Sequence, residues 1–188
     1  VGEAENFTLD EDIIEISKLF NKGGKKSLFK NTGVMIDGKV YTCKTKAEFT
    51  SKKKTTTLAD VLEKGKVADE FYIDKTTMSK WEYLKGAKKE KRVSSTGFEY
   101  NYAEGAMIFP DDLSKPSRTI ITSEGGASPS RFRHVVQTKE GLRRLTPLEL
   151  ERLNMFPDNF TKLEGVSNSR RGFMMGNALV VGIVEKIS

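Results

Sequence analysis

The chain has 188 residues, 37% hydrophobic and 31% charged, enough for one well-packed core or two small lobes. Its 32 Lys and Arg against 26 Asp and Glu give a net charge of +6 and a pI near 9.3, which suits an anionic partner without requiring one. A single cysteine excludes an internal disulfide and a Cys-based zinc site, and no run is long or apolar enough for a membrane span or signal peptide; a cytoplasmic protein with no membrane partner is the default expectation.

In chain order, Thr8 and Glu11 form a capping-box pattern ahead of Ile13, Ile16, Leu19 and Phe20, predicting a helix that Gly23 and Gly24 end. Val34 to Ile36 and Val40 to Cys43 flank Asp37-Gly38, the strongest short-range signal for a tight hairpin. Lys44 to Thr57 carries Lys44, Lys46, Lys52, Lys53 and Lys54 among threonines and reads as a solvated loop or a mobile edge, with phosphate contact the weaker alternative. A short capped helix is predicted from Thr57, closed by Gly65, and Phe71-Tyr72-Ile73 reads as a brief strand or extended link. A further helix runs from about Lys75 to Leu84, with Met78 and Trp81 on one face, Trp81 as a core anchor and Gly86 as its end. Lys85, Lys88, Lys89, Lys91 and Arg92 follow as a cluster, either a solvated face or a run along a phosphate backbone. The chain shows no internal repeat and no low-complexity linker.

Residues 115 to 136 read KPSRTIITSEGGASPSRFRHVV. Arg118 to Thr122 is β-branched and strand-like, and the small residues from Ser123 to Ser130 let the backbone approach another molecule closely. Arg131 and Arg133 bracket Phe132. Such a pattern suits DNA, because backbone N–H groups and guanidiniums reach phosphates and Arg pairs bidentately with a guanine edge. By itself it is weak, since Gly-Ser loops beside Arg are common at ordinary surfaces. His134 has no second His or Cys near it and reads as a strand-end residue; no metal site and no catalytic residue is assigned.

The most informative stretch is Leu145 to Val181. Thr146 is a helix cap, Pro147 fits the first helical position, and Glu149 lies three residues after the cap. Leu150 and Leu153 share a face with Arg152 beside them, and Pro157 stops the run. Gly176 and Asn177 punctuate the chain before Leu179, Val180, Val181, Ile183, Val184 and Ile187, an apolar helix expected to be buried against something large.

The wording of this stretch carries a resemblance. Arg144-Leu145-Thr146-Pro147 with Glu149, Arg152-Leu153 and Phe156-Pro157-Asp158 resembles the ninth conserved motif of the DNA (cytosine-5) methyltransferases, and Gly176-Asn177-Ala178-Leu179-Val180-Val181 resembles their tenth, in the family's order and spacing. Met155 stands where a glycine is common, and Ala178 where many members have a serine that helps hold the cofactor, which limits any carry-over at Ala178 to its backbone. The resemblance implies S-adenosyl-L-methionine as methyl donor, with Asn177 and Ala178 lining its pocket, and double-stranded DNA as partner. It also places a target recognition domain just before the ninth motif, where a Thr followed by Leu, Ile or Val precedes a glycine-containing loop. Thr119-Ile120 matches that pair and Gly125-Gly126 lies in the loop, so the DNA-binding candidates are Arg118, Thr119, Ser123, Gly125, Gly126, Ser128, Ser130, Arg131 and Arg133.

Equally informative is what the sequence lacks. The family's chemistry needs a cysteine thiolate, placed after a proline, that adds to C6 of a flipped cytosine and activates C5 for methylation. Here Cys43 follows Thr42 within the predicted hairpin and reads as a small hydrophobe. No Phe-x-Gly-x-Gly cofactor loop is present, and Glu5-Asn6-Phe7 only superficially echoes the family's Glu-Asn-Val. The resemblance therefore covers the family's C-terminal portion alone. The expected fold class is α+β: a small mixed recognition domain of short strands and hairpins over residues 1–137, then helices over 138–188 that complete a Rossmann-like methyltransferase domain. The missing N-terminal catalytic segment, or a subunit carrying it, is the implied protein partner. The alternatives are a non-catalytic DNA-binding protein derived from such an enzyme and, more weakly, a fragment of a tRNA cytosine-5 methyltransferase.

Overall fold

Asp37 and Gly38 adopt left-handed backbone, with φ of 47° and 76°, and so close the two-residue turn that the sequence predicts. The turn joins β2 (Thr32–Ile36) to β3 (Lys39–Cys43), antiparallel with Ile36 opposite Lys39. A strand the sequence did not announce, β1 (Glu5–Thr8), pairs with the other side of β3, giving the order β1-β3-β2. Thr8 is thus the end of a strand opposite Lys39, and Asp12 Oδ1 accepts the Ile14 N–H at 2.8 Å. Val40 and Thr42 on β3 are buried, Cys43 is half-buried, and Phe7 meets Phe29 edge-on at 5.1 Å.

These strands form the first of two compact units, Val1–Lys53 and Lys54–Ser188, of a computed structural model that describes residues 3–10, 12, 14, 28–46 and 55–188. The remainder of the helix predicted after Thr8, and Lys52 to Lys54, lie outside the described residues. The boundary expected at 137/138 falls within the second unit, in the turn between two strands that pair with each other.

In that second unit α1 (Leu58–Val61) starts from Thr57, whose N–H and hydroxyl both donate to Asp60, and the chain turns at Gly65 with φ 89°. The strand considered at Phe71–Ile73 is reduced to a single bridge between Tyr72 and Arg143, preceded by a 3-10 turn over Asp69–Phe71. A second 3-10 turn, Lys75–Thr77, leads into α2 (Met78–Lys85), whose Trp81 is buried as expected and whose end is set by Gly86. Next, β4 (Lys88–Val93) and β5 (Glu99–Glu104) form a two-stranded antiparallel ribbon of their own. The basic cluster is one strand of this ribbon, except that Lys85 does not belong to it: its side chain is buried at the end of α2.

Short strands β6 (Val135–Gln137) and β7 (Leu142–Arg144) pair, and α3 (Pro147–Leu153), α4 (Asn168–Asn177) and α5 (Val181–Ile187) complete the unit. Its core gathers Leu58 and Val61 of α1, Val136 of β6, Leu145, Leu150 of α3 and Met175 of α4. Two expectations are corrected here. Arg118–Thr122 is not part of any strand and ends in a turn at Thr122, and its backbone lies against α4: a Cβ on Gly176 would sit 2.4 Å from the Ile121 carbonyl oxygen. And the apolar stretch after Asn177 is not buried: Leu179, ahead of α5, is 75% exposed, and Ile183 and Ile187 within α5 are 55% and 81% exposed, since no described element lies over them. Among the described residues no helix is long and apolar enough to cross a membrane.

Candidate nucleic-acid interface

The segment before α3 is held from below by the capping box of α3. Thr146 Oγ1 accepts the Glu149 N–H, and Glu149 returns a carboxylate oxygen to the Thr146 N–H at 2.8 Å. The same carboxylate takes a bidentate pair from Arg143 at 2.6 and 2.8 Å and the Glu63 N–H at 2.8 Å, so all of its lone pairs are used in a site sealed from solvent. Arg144 donates to the carbonyls of Gly126 and Glu70, and Arg152 forms a fork with Asp158 at 2.8 and 2.6 Å while reaching the carbonyls of Val61 and Leu62. At the end of α3, Met155 has φ 62°, a left-handed conformation that a glycine adopts without steric cost. The residues singled out around Thr146 thus tie α1, α3 and the loop at Gly126 together.

On this base the segment from Ser117 to His134 folds into a looped surface, and its arginines are consumed in shaping it. Arg118 pairs with Asp111 at 2.7 Å and donates to the Phe132 carbonyl at 2.9 Å. Burial pushes the Asp111 carboxyl up, but the bonds from Arg118 and the Val135 N–H outweigh it and hold the group below its ordinary range. Arg131 reaches the carbonyls of Leu84 and Gly105, at 3.0 and 2.5 Å, and pairs with Glu104 at 3.1 Å, fastening the loop to the end of α2 and the base of β5. Buried Arg133 donates to the Ser123 carbonyl at 2.6 Å and to the carbonyl and hydroxyl of Ser128. Arg133, Ser123, Gly126 and Ser128 are therefore brought together, Arg131 stands at another edge of the loop, and Thr119, Ser123, Ser128 and Phe132 are exposed. Ser130 is half-buried.

Glu124 and His134 form a buried hub that residue types alone did not reveal. Glu124 Oε1 accepts the His134 backbone N–H at 2.6 Å and lies 3.0 Å from its Nδ1, while His134 Nε2 lies 3.0 Å from the Ser117 hydroxyl. The order Ser, His, Glu is that of a nucleophilic triad, but His134 is 0% exposed, so no substrate reaches it and the chain of bonds pins one end of the loop to the other. The glycines have a related task. A Cβ on Gly125 would sit 2.7 Å from the Ser169 carbonyl, one on Gly172 would sit 2.5 Å from Gly125 Cα, and one on Gly126 would strike the Arg133 guanidinium at 2.4 Å. Gly172 and Gly176 share one face of α4 at i, i+4 spacing, and the loop backbone rests directly on that face. That spacing was the available signal for α4, which starts at the Ser167 cap and runs through Gly176 and Asn177 instead of following them.

The two cofactor candidates lie at the break between α4 and α5. The Asn177 side chain is exposed, its amide donating to the Phe173 carbonyl at 2.8 Å, and Ala178 is half-buried beside the core. They fit one wall of a cofactor site, with Asn177 offering the second side-chain N–H and the carbonyl oxygen. Among the described residues no three His, Cys, Asp or Glu side chains gather as a metal ion would require.

Comparison with known proteins follows the same lines. Residues 20–188 match the profile of the C-5 cytosine-specific DNA methylases. The chain is 39% identical over 179 residues to the type II methyltransferase M.Sau3AI of Staphylococcus aureus, an alignment that takes in 95% of this chain and 40% of that protein. It thus spans less than half the length of that relative. Two solved structures share its fold: the S. pombe Dnmt2 methyltransferase, with a TM-score of 0.51 at 13% identity over 79% of this chain and 48% of that one; and the Entamoeba histolytica methyltransferase EhMeth, with 0.50 at 12% over 98% and 52%.

Proposed function

The chain belongs to the C-5 cytosine-specific DNA methylase family, and from that premise we propose that it supplies sequence recognition and the closing helices of an enzyme that methylates cytosine C5 in double-stranded DNA. Members of the family use S-adenosyl-L-methionine, which provides the methyl group when bound. In this reading the recognition role falls to residues 1–137, and the helices of 138–188 complete a Rossmann-like catalytic domain whose nucleophile and main cofactor loop come from a segment outside this sequence. That division is one of tasks, since β6 and β7 pair across it. Asn177 and the backbone of Ala178 border the cofactor, and the loop from Arg118 to Arg133 faces the DNA. The arginines of that loop act mainly by holding its shape, while Thr119, Ser123 and Ser128 present its exposed surface.

The observation that carries this reading is the uncovered apolar surface at and just before α5, with Leu179 ahead of the helix and Ile183 and Ile187 on it open to solvent, in a chain whose single cysteine follows threonine. Apolar surface of that extent at a family motif is what the absent catalytic segment would cover. The rival substrate class is tested by competition. A labelled DNA duplex bound to the chain should be displaced by unlabelled duplex and resist an equal mass of tRNA; preferential displacement by tRNA would move the chain to the RNA-modifying alternative.

A further inference from the structure

The β4–β5 ribbon has two faces of different character. On one, every charge is answered. Lys88 pairs with Glu104 at 3.1 Å, Arg92 pairs with Glu90 at 3.1 Å and lies over the Tyr102 ring at 3.5 Å, and Tyr83 of α2 donates to Glu90 at 3.0 Å. Arg131 adds its own bond to Glu104, so this face fastens the ribbon to the unit. The residues between them point the other way, as strand alternation requires. Lys89 lies opposite Ala103, Lys91 opposite Asn101 and Val93 opposite Glu99, and all six are exposed. Neither the Lys89 nor the Lys91 side chain makes an ion pair or hydrogen bond among the described residues, while Glu99 is the lone acid on that face, at the end near the tip.

From this asymmetry we propose that the outer face of the β4–β5 ribbon enters the major groove of the DNA, with Lys89 and Lys91 on the phosphates and Asn101 at a base edge. The proposal rests on the DNA-binding reading above and names the element that performs it. A two-stranded ribbon is one of the shapes that the groove, about 12 Å wide, admits. Its lysines are about 6.8 Å apart along the strand, set beside the small Ala103, which leaves room for a backbone to approach. The Asn101 amide is of the kind that pairs bidentately with adenine. A face that served only for solubility would not need its neighbouring face so fully neutralised, because lysines on both sides would solvate the strand equally well. The looped segment, whose guanidiniums are occupied, supports the base of this ribbon through Arg131.

The test is a salt series of duplex binding, by anisotropy of a labelled random-sequence duplex, comparing the native chain with K89Q/K91Q and with the exposed control pair K139Q/K162Q. All four lysines are exposed, so folding is retained and is checked by circular dichroism. K89Q/K91Q should flatten the slope of log K against log salt by roughly 0.9 per lysine, and the control pair should leave it unchanged. In parallel, bound duplex should protect Lys89 and Lys91 from acetylation. Selection from a randomised duplex pool should show N101A relaxing base choice at one position; unrelaxed choice would remove Asn101 from the proposal. If the native chain binds duplex, K89Q/K91Q keeps the native slope and both lysines stay equally acetylated, the ribbon is overturned and the DNA-binding reading stands. If the native chain binds no duplex, both fall.

Discussion

Lys85 is the residue whose environment departs most from what its type prefers. It is 1% exposed, its ammonium lies over the rings of Trp81 and Phe109 at 5.9 and 5.8 Å, and it donates to the Arg133 carbonyl. Burial lowers its pKa from 10.5 to about 8, against the opposing pull of the Asp111 and Glu124 carboxylates. The drop makes the charged form roughly 3 kcal/mol less favourable in the fold than in the unfolded chain. Because the folded value lies below the unfolded one, the unfolded chain holds more protons between about pH 8 and 10.5. Stability attributable to this group therefore rises with pH across that window and is lowest below it. Lys85→Met keeps the volume and removes the charge. Denaturant titrations from pH 7 to 11 should show the native chain gaining on K85M through the window, whereas parallel curves would contradict the assignment. In the run that follows Gly86, Lys88 to Arg92, strand alternation leaves Lys89 and Lys91 exposed and Lys88 and Arg92 half-buried, a distinction that the basic composition alone does not draw.

At the scale of elements, α4 and the loop it carries are matched backbone to backbone. A methyl group on Gly176 would lie 2.4 Å from one backbone atom and 2.5 Å from another, neither of which can swing away as a side chain does. Gly176→Ala should therefore cost about 1–3 kcal/mol, the range for overpacking a tight contact. An unchanged urea midpoint would show that the loop shifts freely on the helix. Most local signals in the sequence translated well: Asp37-Gly38 gave the hairpin, Thr57 capped its helix, Thr146 with Glu149 gave a capping box, and Gly86 ended α2, because each depends on residues within a turn of one another; Thr8, read as a cap, ends a strand instead. Contacts between distant segments did not. The β-branched run at Arg118–Thr122 promises a strand, yet its neighbour is a glycine face some fifty residues later in the chain. The three arginines chosen for phosphates are bound to carbonyls, among them those of Leu84 and Ser123, and backbone acceptors leave no mark in residue types. Helix α4 escaped because its mixed charge and glycine content hide an amphipathic pattern that only the i, i+4 glycines disclose.

For the molecule as a whole, the second unit has a well-made core around Leu145 and Leu150 and, at its far end, a helix whose apolar side is bare. The first unit likewise exposes Val34, Met35 and Ile36 on one strand. Buried ion pairs such as Arg143 with Glu149 are expensive to isolate, and their burial beside α3 contrasts with the bare face at α5. The function proposed above makes such a chain part of a larger enzyme, in which its own residues would recognise DNA and close the catalytic domain while the transfer waits on another segment. The most direct measurement is incorporation of labelled methyl from S-adenosyl-L-methionine into duplex DNA by the homogeneous chain, alone and mixed with the portion of the S. aureus relative that this chain does not match. The account predicts no incorporation by the chain alone and recovery of transfer in the mixture. Incorporation by the chain alone would contradict it.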